Sequence, residues 1–453
     1  MRRHTTENST NAHDIHKVTG GHRRGLHRLP PSRIACRTRR DRARKHVRQS
    51  PFPPNAVRTG GAPHRDSPVL FRRLCPAWQP QRGPVRGPPR EGDPVTDARE
   101  YGGRGATGVW LVSARGSVAT ATIAGAAALR AGLVRPSGCV TARRELACLD
   151  LPRFDDLVFG GHDTARSSLL ERAEELAERG AMPPGLPRLV RDALLAAEEE
   201  IRPGATRGGG PRAQRETIRS LTDDLVAFRR RWGLERVVVV NVAPPDPAVP
   251  PHPAHASLPA LRKALAAGED VLPDSALYAC AALSADCPYV DFAASAALLL
   301  PAVRELAAER GMPYAGRAGR AGEALLRSVS APMFARRAAE RTRLVPVPAG
   351  EGDGGRWASR PAHEEVSVEG FLGVRVTLRL DWQGCEPALA APLVLDLARL
   401  MALADRAGAE GPVSELAFFF DDPVAEGPAG ADRSPAERYA ALVAWAHGLH
   451  VPV

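Results

Sequence analysis

Glycines and arginines alternate in the stretch that is most suggestive of chemistry. From position 314 the chain runs Tyr-Ala-Gly-Arg-Ala-Gly-Arg-Ala-Gly, which places Gly316 beside Arg317 and a second glycine beside Arg320. Glycine lets the backbone approach a ligand closely, and a guanidinium group binds phosphate through parallel hydrogen bonds. The pattern therefore predicts an anion-binding turn in which Arg317 and Arg320 hold a phosphate and Gly316 lies against a ligand.

A second candidate site lies near the start of the regular sequence. Residues 108–113 form a short apolar run, 114–117 a tight turn, and 118–133 an alanine-rich helix. In a dinucleotide-binding fold, such a unit brings small residues and helix N-terminal amides to the pyrophosphate. The candidates for that contact are Gly116, Ser117 and Val118. Because only one fingerprint glycine remains, an ordinary strand-turn-helix unit without a ligand is the alternative.

Further apolar runs indicate the strands that must position these groups. Residues 156–159 lead into Gly-Gly-His-Asp at 160–163, and 236–241 form a valine-rich run that ends in asparagine. Together they predict a parallel α/β sheet, in which residues just past the carboxyl ends of the strands line the ligand crevice. Asp163 is then the candidate acceptor for a ribose hydroxyl, and Asn241 the candidate contact to the cofactor. The alternatives are a solvated loop aspartate and a turn-forming asparagine.

The rest of the regular sequence alternates between apolar and helical patterns. These patterns predict a strand-like segment at 287–292, a buried strand at 416–420, an exposed loop at 202–212, and helices at 167–179, 276–283, 293–310, 390–404 and 435–447, of which the helix at 390–404 is amphipathic. The chain is long enough for two domains with substantial cores.

Positive charge is concentrated in the first 94 residues. They hold 21 of the 62 Lys and Arg but only 6 of the 51 Asp and Glu, so the remainder has a small acidic excess. Their Pro, Gly and Arg runs lack apolar periodicity, which predicts a disordered leader. One alternative is a basic arm for nucleic acid or an anionic membrane. Another is upstream sequence that is not translated, with the protein starting at Val95. The expectation is no nucleic-acid partner and no membrane partner.

Cysteine usage and hydropathy point to an intracellular protein. The seven cysteines are scattered without a Cys-x-x-Cys pair, which predicts reduced structural thiols and no metal site. We find no uninterrupted apolar run long enough to cross a bilayer. A cytoplasmic location is therefore the expectation.

Several segments together resemble the myo-inositol phosphate synthases. The close matches are Gly-His-Asp at 161–163, Leu-Leu-Arg-Ser-Val at 325–329, Ala-Pro-Met-Phe at 331–334 and Ala-Ala-Pro-Leu-Val-Leu-Asp-Leu-Ala-Arg-Leu at 390–400. The similarity covers nearly everything from Val95 onward and looks like the actinobacterial branch of the family.

The resemblance implies an α/β fold with a Rossmann-like NAD-binding domain and an inserted α+β domain for catalysis and oligomerisation. On this basis we expect a leader at 1–94, the NAD-binding domain at 95–292, a shortened catalytic and oligomerisation domain at 293–389, and a segment at 390–453 that returns to the nucleotide domain. The family forms a tetramer by sheet extension, so a homo-oligomer is implied.

The implied activity is an NAD-dependent isomerisation of glucose 6-phosphate to inositol phosphate. NAD is the implied cofactor, and the implied catalytic residues are Arg320, Arg317 and Asp353. Arg320 stands where the family motif has lysine, and Asp353 lies in a Gly-Asp-Gly turn similar to the family's. Asp291 stands in place of an asparagine that precedes a helix, and is implied to contact the cofactor. Lysines occur only at positions 17, 45 and 263, so the alternative is an NAD-binding homologue that has lost or changed its activity.

Overall fold

The computed structural model describes residues 105–205, 214–246, 250–321, 339–346, 362–369, 371–382, 386–424 and 433–449. The basic leader, Asp353 and the motifs at 325–334 lie outside these described residues.

The strands fall into one parallel and one antiparallel sheet. Numbered along the chain, they are β1 (Thr107–Val112), β2 (Leu157–Asp163), β3 (Ile201–Pro203), β4 (Arg236–Asn241), β5 (Tyr289–Asp291), β6 (Pro313–Gly316), β7 (Ala339–Pro346), β8 (Ala362–Glu369), β9 (Arg375–Trp382) and β10 (Gly411–Pro412). Seven of them form a sheet in the order β10-β6-β5-β4-β1-β2-β3, and every neighbouring pair is parallel. The predicted parallel α/β sheet is confirmed.

Helices cover both faces of this sheet. They are α1 (Ser117–Arg130), α2 (Leu169–Glu178), α3 (Leu186–Leu189), α4 (Arg191–Glu198), α5 (Gln214–Trp232), α6 (Leu258–Ala266), α7 (Asp274–Ser284), α8 (Pro301–Arg310), α9 (Glu386–Arg406) and α10 (Pro435–Gly448). Strands β1 and β2 are buried along their whole length, because a parallel sheet covered on both faces needs apolar side chains on both. Alternate residues of β4 therefore enter two different cores, Val238 with Val240 in one and Val237 with Val239 in the other.

Helix α9 lies inside the protein. Its residues from 394 to 404 are all buried, so the prediction of an amphipathic helix is wrong: the helix is covered on every side. Within the described chain it is the one helix long and apolar enough to cross a membrane, but 72% of its most apolar window is buried, as in a core helix. Asp396 of α9 accepts hydrogen bonds from the backbone N–H groups of Val140 and Thr141, which attach the loop after α1 to this helix.

Strands β7, β8 and β9 form the separate antiparallel sheet. They lie in the interval that the sequence assigns to an inserted α+β domain, and the boundaries of that domain stay a prediction.

Three predicted elements differ in the structure. The helix expected at 293–310 begins only at Pro301, because proline fits the first helical position, and a 3-10 turn at Ala297–Leu299 precedes it. The expected strand at 416–420 is a 3-10 helix, Ser414–Phe419, that still buries Phe419. The expected loop at 202–212 begins as edge strand β3.

Three of the described cysteines are reduced. Cys139, Cys280 and Cys287 are buried free thiols, as predicted.

Candidate active site

The candidate site lies at the carboxyl edge of the parallel sheet. The chain moves outward from β1 to β2 and β3, and then returns to build β4, β5 and β6 on the other side of β1. The strand order therefore reverses between β1 and β4, which is where open α/β sheets bind ligands. This edge brings together five of the predicted residues: Gly116, Asp163, Asn241, Asp291 and Gly316.

The β1–α1 turn is shaped to approach an anion. Ser113 adopts a left-handed conformation with φ of 66°, and the carbonyl of His162 accepts hydrogen bonds from the N–H groups of Ser113 and Ala114. At Gly116 a Cβ atom would lie 2.9 Å from the carbonyl oxygen of Ser113, so only glycine fits. Gly116 is the N-cap of α1, and in the described structure no side chain caps this helix. The amides of Ser117 and the next residue thus begin a helix of 14 residues with no side-chain acceptor.

Asp163 ends β2 and is 7% exposed. Its Oδ2 accepts from the N–H of Arg115 at 2.6 Å, and its Oδ1 accepts from the N–H of Ala165 at 2.6 Å. The alternative of a solvated loop aspartate is therefore wrong. A carboxylate oxygen has two lone pairs, so each oxygen retains acceptor capacity for a ribose hydroxyl.

His162 is a buried residue of this site that the sequence analysis did not select. Its Nδ1 accepts from Trp110 Nε1 at 2.8 Å, and its Nε2 lies 3.2 Å from Asp224 Oδ2. Burial lowers the pKa of His162, although Asp224 opposes the shift. Acceptance at Nδ1 places the proton of the neutral ring on Nε2, where it is donated to Asp224. The ring thus fixes the end of β2 just before Asp163. The Gly-Gly-His-Asp motif was the sequence signal that could have identified His162.

Asn241 and Asp291 form one hydrogen-bonded group across β4 and β5. Asn241 Nδ2 donates to Asp291 Oδ1 at 3.1 Å, and Ser295 Oγ donates to Asp291 Oδ2. Asn241 Oδ1 accepts from the N–H of Ala243 at 3.1 Å, so this asparagine also forms a turn. Burial raises the pKa of Asp291 to about 7, although the hydrogen bonds from Ser295 and Asn241 lower it. The carboxyl of Asp291 is therefore suited to hold or release a proton near neutral pH. Sequence reasoning missed Ser295.

The two arginines of the glycine-rich turn are each paired with an aspartate. Arg317 Nη2 lies 3.2 Å from Asp422 Oδ2, and Arg320 Nε donates to Asp421 Oδ1 at 2.8 Å. Arg320 is 7% exposed and also donates through Nη2 to the carbonyl of Phe420 at 2.7 Å. Both predicted phosphate ligands thus already bind internal acceptors, and their partners Asp421 and Asp422 were not selected from the sequence.

Backbone contacts hold this turn on both sides. The N–H of Ala318 donates to Ala293 at 2.9 Å, that of Gly319 to Phe292 at 2.8 Å, and that of Arg320 to Phe419 at 2.7 Å. The glycine in this triplet is required by packing, because its Cβ would lie 2.3 Å from the Phe292 ring.

Gly316 is required by packing in the same way. A Cβ atom at this position would lie 2.8 Å from both the Cβ and the carbonyl oxygen of Asp291. This close approach joins the ends of β5 and β6. The contact of Gly316 with a cofactor stays a prediction, and its immediate neighbour in the structure is Asp291.

The remaining predictions concern metals and Asp353. Among the described residues, no group of three or more His, Cys, Asp or Glu side chains lies close enough together to hold a metal ion. Asp353 lies outside the described residues, so its predicted catalytic role stays a prediction.

A doubly wound parallel sheet with a glycine turn after β1, an aspartate at the end of β2 and a buried carboxyl at the end of β5 defines a protein of the dinucleotide-binding class. The model of an NAD-binding family described as myo-inositol-1-phosphate synthase matches residues 107–446. The chain belongs to the myo-inositol-1-phosphate synthase family.

Individual relatives are distant. An inositol-3-phosphate synthase of Bacteroides thetaiotaomicron is 26% identical over 401 residues, 71% of this chain and 90% of that protein. The crystal structure of an inositol-3-phosphate synthase from Caenorhabditis elegans has a TM-score of 0.61 at 17% identity, covering 77% of this chain and 86% of that one. A myo-inositol-1-phosphate synthase-related protein from Thermotoga maritima has a TM-score of 0.55 at 20% identity, covering 77% of this chain and 100% of that one. The two structures confirm the fold.

NAD is the cofactor of this family, and the part of the crevice at the carboxyl ends of β1, β2 and β4 fits it. Gly116 leaves room for a pyrophosphate, the first amides of α1, at Ser117 and Val118, are the groups that would bind it, and Asp163 retains acceptors for a ribose. Asn241 lies at the strand-order reversal, where the cofactor would cross the sheet edge.

Proposed function

We propose that this chain is an inositol-3-phosphate synthase that isomerises D-glucose 6-phosphate to 1D-myo-inositol 3-phosphate. The observation that carries the proposal is the family match over residues 107–446, which includes all seven strands of the parallel sheet. NAD supplies the acceptance and return of a hydride, so the reaction is redox-neutral over one cycle. The groups that surround the crevice then have to orient the sugar, hold its phosphate and move protons.

Asp291 is proposed to hold a proton that the isomerisation requires. Its pKa is raised by burial to about 7, so both protonation states are populated at neutral pH. The hydrogen bonds from Asn241 and Ser295 fix both oxygens of the carboxyl. A positioned group with a pKa near the working pH is the efficient arrangement for general acid–base catalysis.

Arg317 and Arg320 are proposed to bind the phosphate, and Asp353 to complete the catalytic set. Guanidinium groups bind phosphate strongly but stay protonated, so these arginines would contribute charge rather than proton transfer. Asp422 and Asp421 compete with the phosphate for these two guanidinium groups. Weak phosphate binding is the expected consequence.

The test is turnover of glucose 6-phosphate by the full chain with NAD. Substrate and product have the same mass, so the product is separated by chromatography and compared with authentic inositol 3-phosphate. Arg320→Ala should abolish product formation, whereas the matched control Arg310→Ala, which changes an arginine paired with Asp286 on the exposed side of α8, should not. Turnover that is equal in both variants would contradict the proposed role of Arg320.

A second candidate is an NAD-binding homologue of this family that does not catalyse the isomerisation. The observation that favours it is the pairing of Arg317 with Asp422 and of Arg320 with Asp421, which neutralises the proposed phosphate site. Binding of NADH without any inositol phosphate product would support this candidate.

We further propose a cytoplasmic homotetramer that supplies inositol for phospholipid synthesis. The support is the family membership and the antiparallel sheet β7–β9, an element of the kind that extends between subunits. Sedimentation equilibrium of the full chain tests the tetramer, and a monomer at micromolar concentration would contradict it.

A further inference from the structure

Arg115 reaches from the β1–α1 turn to the carboxyl end of β2. Its backbone N–H donates to Asp163, and its Nη1 donates to the carbonyl of Ala165 at 3.0 Å. Its side chain is only 18% exposed. In this class of fold, an acidic residue near the end of β2 contacts the 2′-hydroxyl of the adenosine ribose, whereas an arginine nearby accommodates a 2′-phosphate. Both kinds of residue, Asp163 and Arg115, are therefore present at the carboxyl end of β2.

Glu198 accepts hydrogen bonds from the Nε and Nη2 groups of Arg115. Glu198 Oε1 lies 2.9 Å from Arg115 Nε and 2.5 Å from Arg115 Nη2. The other oxygen, Oε2, accepts from the N–H of Leu169 at 2.7 Å, the first residue of α2. The carboxylate is thus fixed from both sides, at the end of α4, and cannot leave Arg115 without losing the N-terminal contact to α2.

These contacts decide which ribose substituent is tolerated. A 2′-hydroxyl can donate to a carboxylate such as Asp163, whereas a 2′-phosphate would face the carboxylates of both Asp163 and Glu198. The Nε–Nη2 side of a guanidinium is a face on which phosphate binds with two hydrogen bonds, and Glu198 already occupies it. A free Arg115 would favour the phosphorylated dinucleotide, but a paired one does not.

We propose that Glu198 is the residue that restricts the site to NAD, by engaging Arg115 and excluding a 2′-phosphate. The inference rests on the dinucleotide site of the proposed function and deepens it to cofactor selection. Asp163 accepts the ribose hydroxyl, and Glu198 acts through Arg115.

The test measures dissociation constants of NADH and NADPH by fluorescence titration of the full chain. Glu198→Gln keeps an oxygen acceptor for Leu169 but removes the charge that holds Arg115. The matched control is Glu199→Gln, which removes a charge from the adjacent exposed residue of the chain. The double variant Arg115→Ala with Glu198→Gln shows whether any gain requires the guanidinium. Thermal unfolding midpoints establish that each variant is folded.

The unmodified chain should bind NADH at least about tenfold more tightly than NADPH. Glu198→Gln should lower the dissociation constant of NADPH about tenfold, because one repulsive charge is removed and the guanidinium of Arg115 is released. Glu199→Gln should leave the ratio of the NADPH and NADH dissociation constants unchanged. The double variant should not show the tighter NADPH binding of Glu198→Gln. If Glu198→Gln does not fold, Arg115→Gln replaces it. This variant leaves the carboxylates of Asp163 and Glu198 without the Arg115 cation. It should weaken the binding of NADPH further and change the binding of NADH little.

Equal affinities of the unmodified chain for NADH and NADPH would overturn the inference, as would an unchanged ratio in Glu198→Gln or binding of neither dinucleotide. Turnover of glucose 6-phosphate is measured separately. A chain that selects NADH but makes no inositol phosphate would leave cofactor selection standing while the proposed reaction fails.

Discussion

Replacement of the buried carboxyl at Asp291 should change how the stability of the protein depends on pH. Burial raises the pKa of Asp291 from 3.8 to about 7 in the folded protein. Between these two values the folded state holds a proton that the unfolded state has released. The free energy of unfolding therefore decreases as pH rises through this window, and the full cost of the buried charge is present above pH 7.

The size of the effect follows from the pKa difference. One pKa unit corresponds to about 1.4 kcal/mol, so the part of the shift that lies between pH 5 and pH 7 is worth about 3 kcal/mol. Asp291→Asn has no charge to bury and keeps an acceptor and a donor for Asn241 and Ser295. Relative to this variant, the unmodified chain should lose about 3 kcal/mol of stability between pH 5 and pH 8. Asp396, whose pKa burial raises to about 6, contributes equally to both proteins and cancels in the difference.

The assay is urea unfolding at half-unit pH intervals from 5 to 8, followed by circular dichroism. Asp270→Asn, at an exposed position, is the control and should follow the unmodified chain at every pH. If the unfolding free energies of Asp291→Asn and the unmodified chain stay parallel from pH 5 to pH 8, the carboxyl is not buried as a neutral group and the reasoning is refuted.

Three further predictions concern packing, charge pairing and reactivity. Gly161→Ala places a Cβ 2.2 Å from a backbone oxygen of β1 and should lower the free energy of unfolding in urea by about 3 kcal/mol. The control Gly125→Ala has open space around it in α1 and should be neutral or stabilising. Equal effects of the two variants would contradict the packing argument. A double-mutant cycle of Arg320→Met and Asp421→Asn should give a coupling free energy of about 2 kcal/mol, because the arginine is buried; additive single effects would show that the ion pair contributes nothing. The Cys280 thiol, whose pKa burial raises to about 12, should not react with a disulfide reagent at pH 8 until the protein unfolds, and rapid labelling of the native protein at this position would be contrary to its burial.

Local sequence was sufficient to predict the four adjacent strands β1, β2, β4 and β5 of the sheet, but not β3, β6 and β10. The valine run of β4 and the apolar run of β1 are buried on both faces, and such runs have few alternatives to a central parallel strand. The same information placed Asp163 and Asn241 at strand ends, where the structure has them. Periodicity failed at 293–310, because alanines before Pro301 suit a helix but are held in turns by tertiary contacts.

The partners of the site residues could not be predicted in this way. Arg320 binds Asp421, which lies 101 positions later, and nothing in either local sequence specifies that distance. Glu198 binds Arg115 across 83 positions. The charges at these positions are visible in the sequence, but their pairing depends on which strand ends the fold brings together. The raised pKa of Asp291 likewise depends on burial by elements distant in the chain.

The turn that carries Arg320 depends on residues that a ribosome makes much later. Strands β1 to β6 are complete once residue 316 has been synthesised, and domains fold as units from the N-terminal side during synthesis. The backbone acceptor for Arg320 on Phe419 and the carboxylate of Asp421 do not yet exist at that stage. A nascent or prematurely terminated chain would therefore lack both the support of this turn and helix α9, which packs in one core of the sheet. The finished turn marks a chain whose translation has passed residue 421.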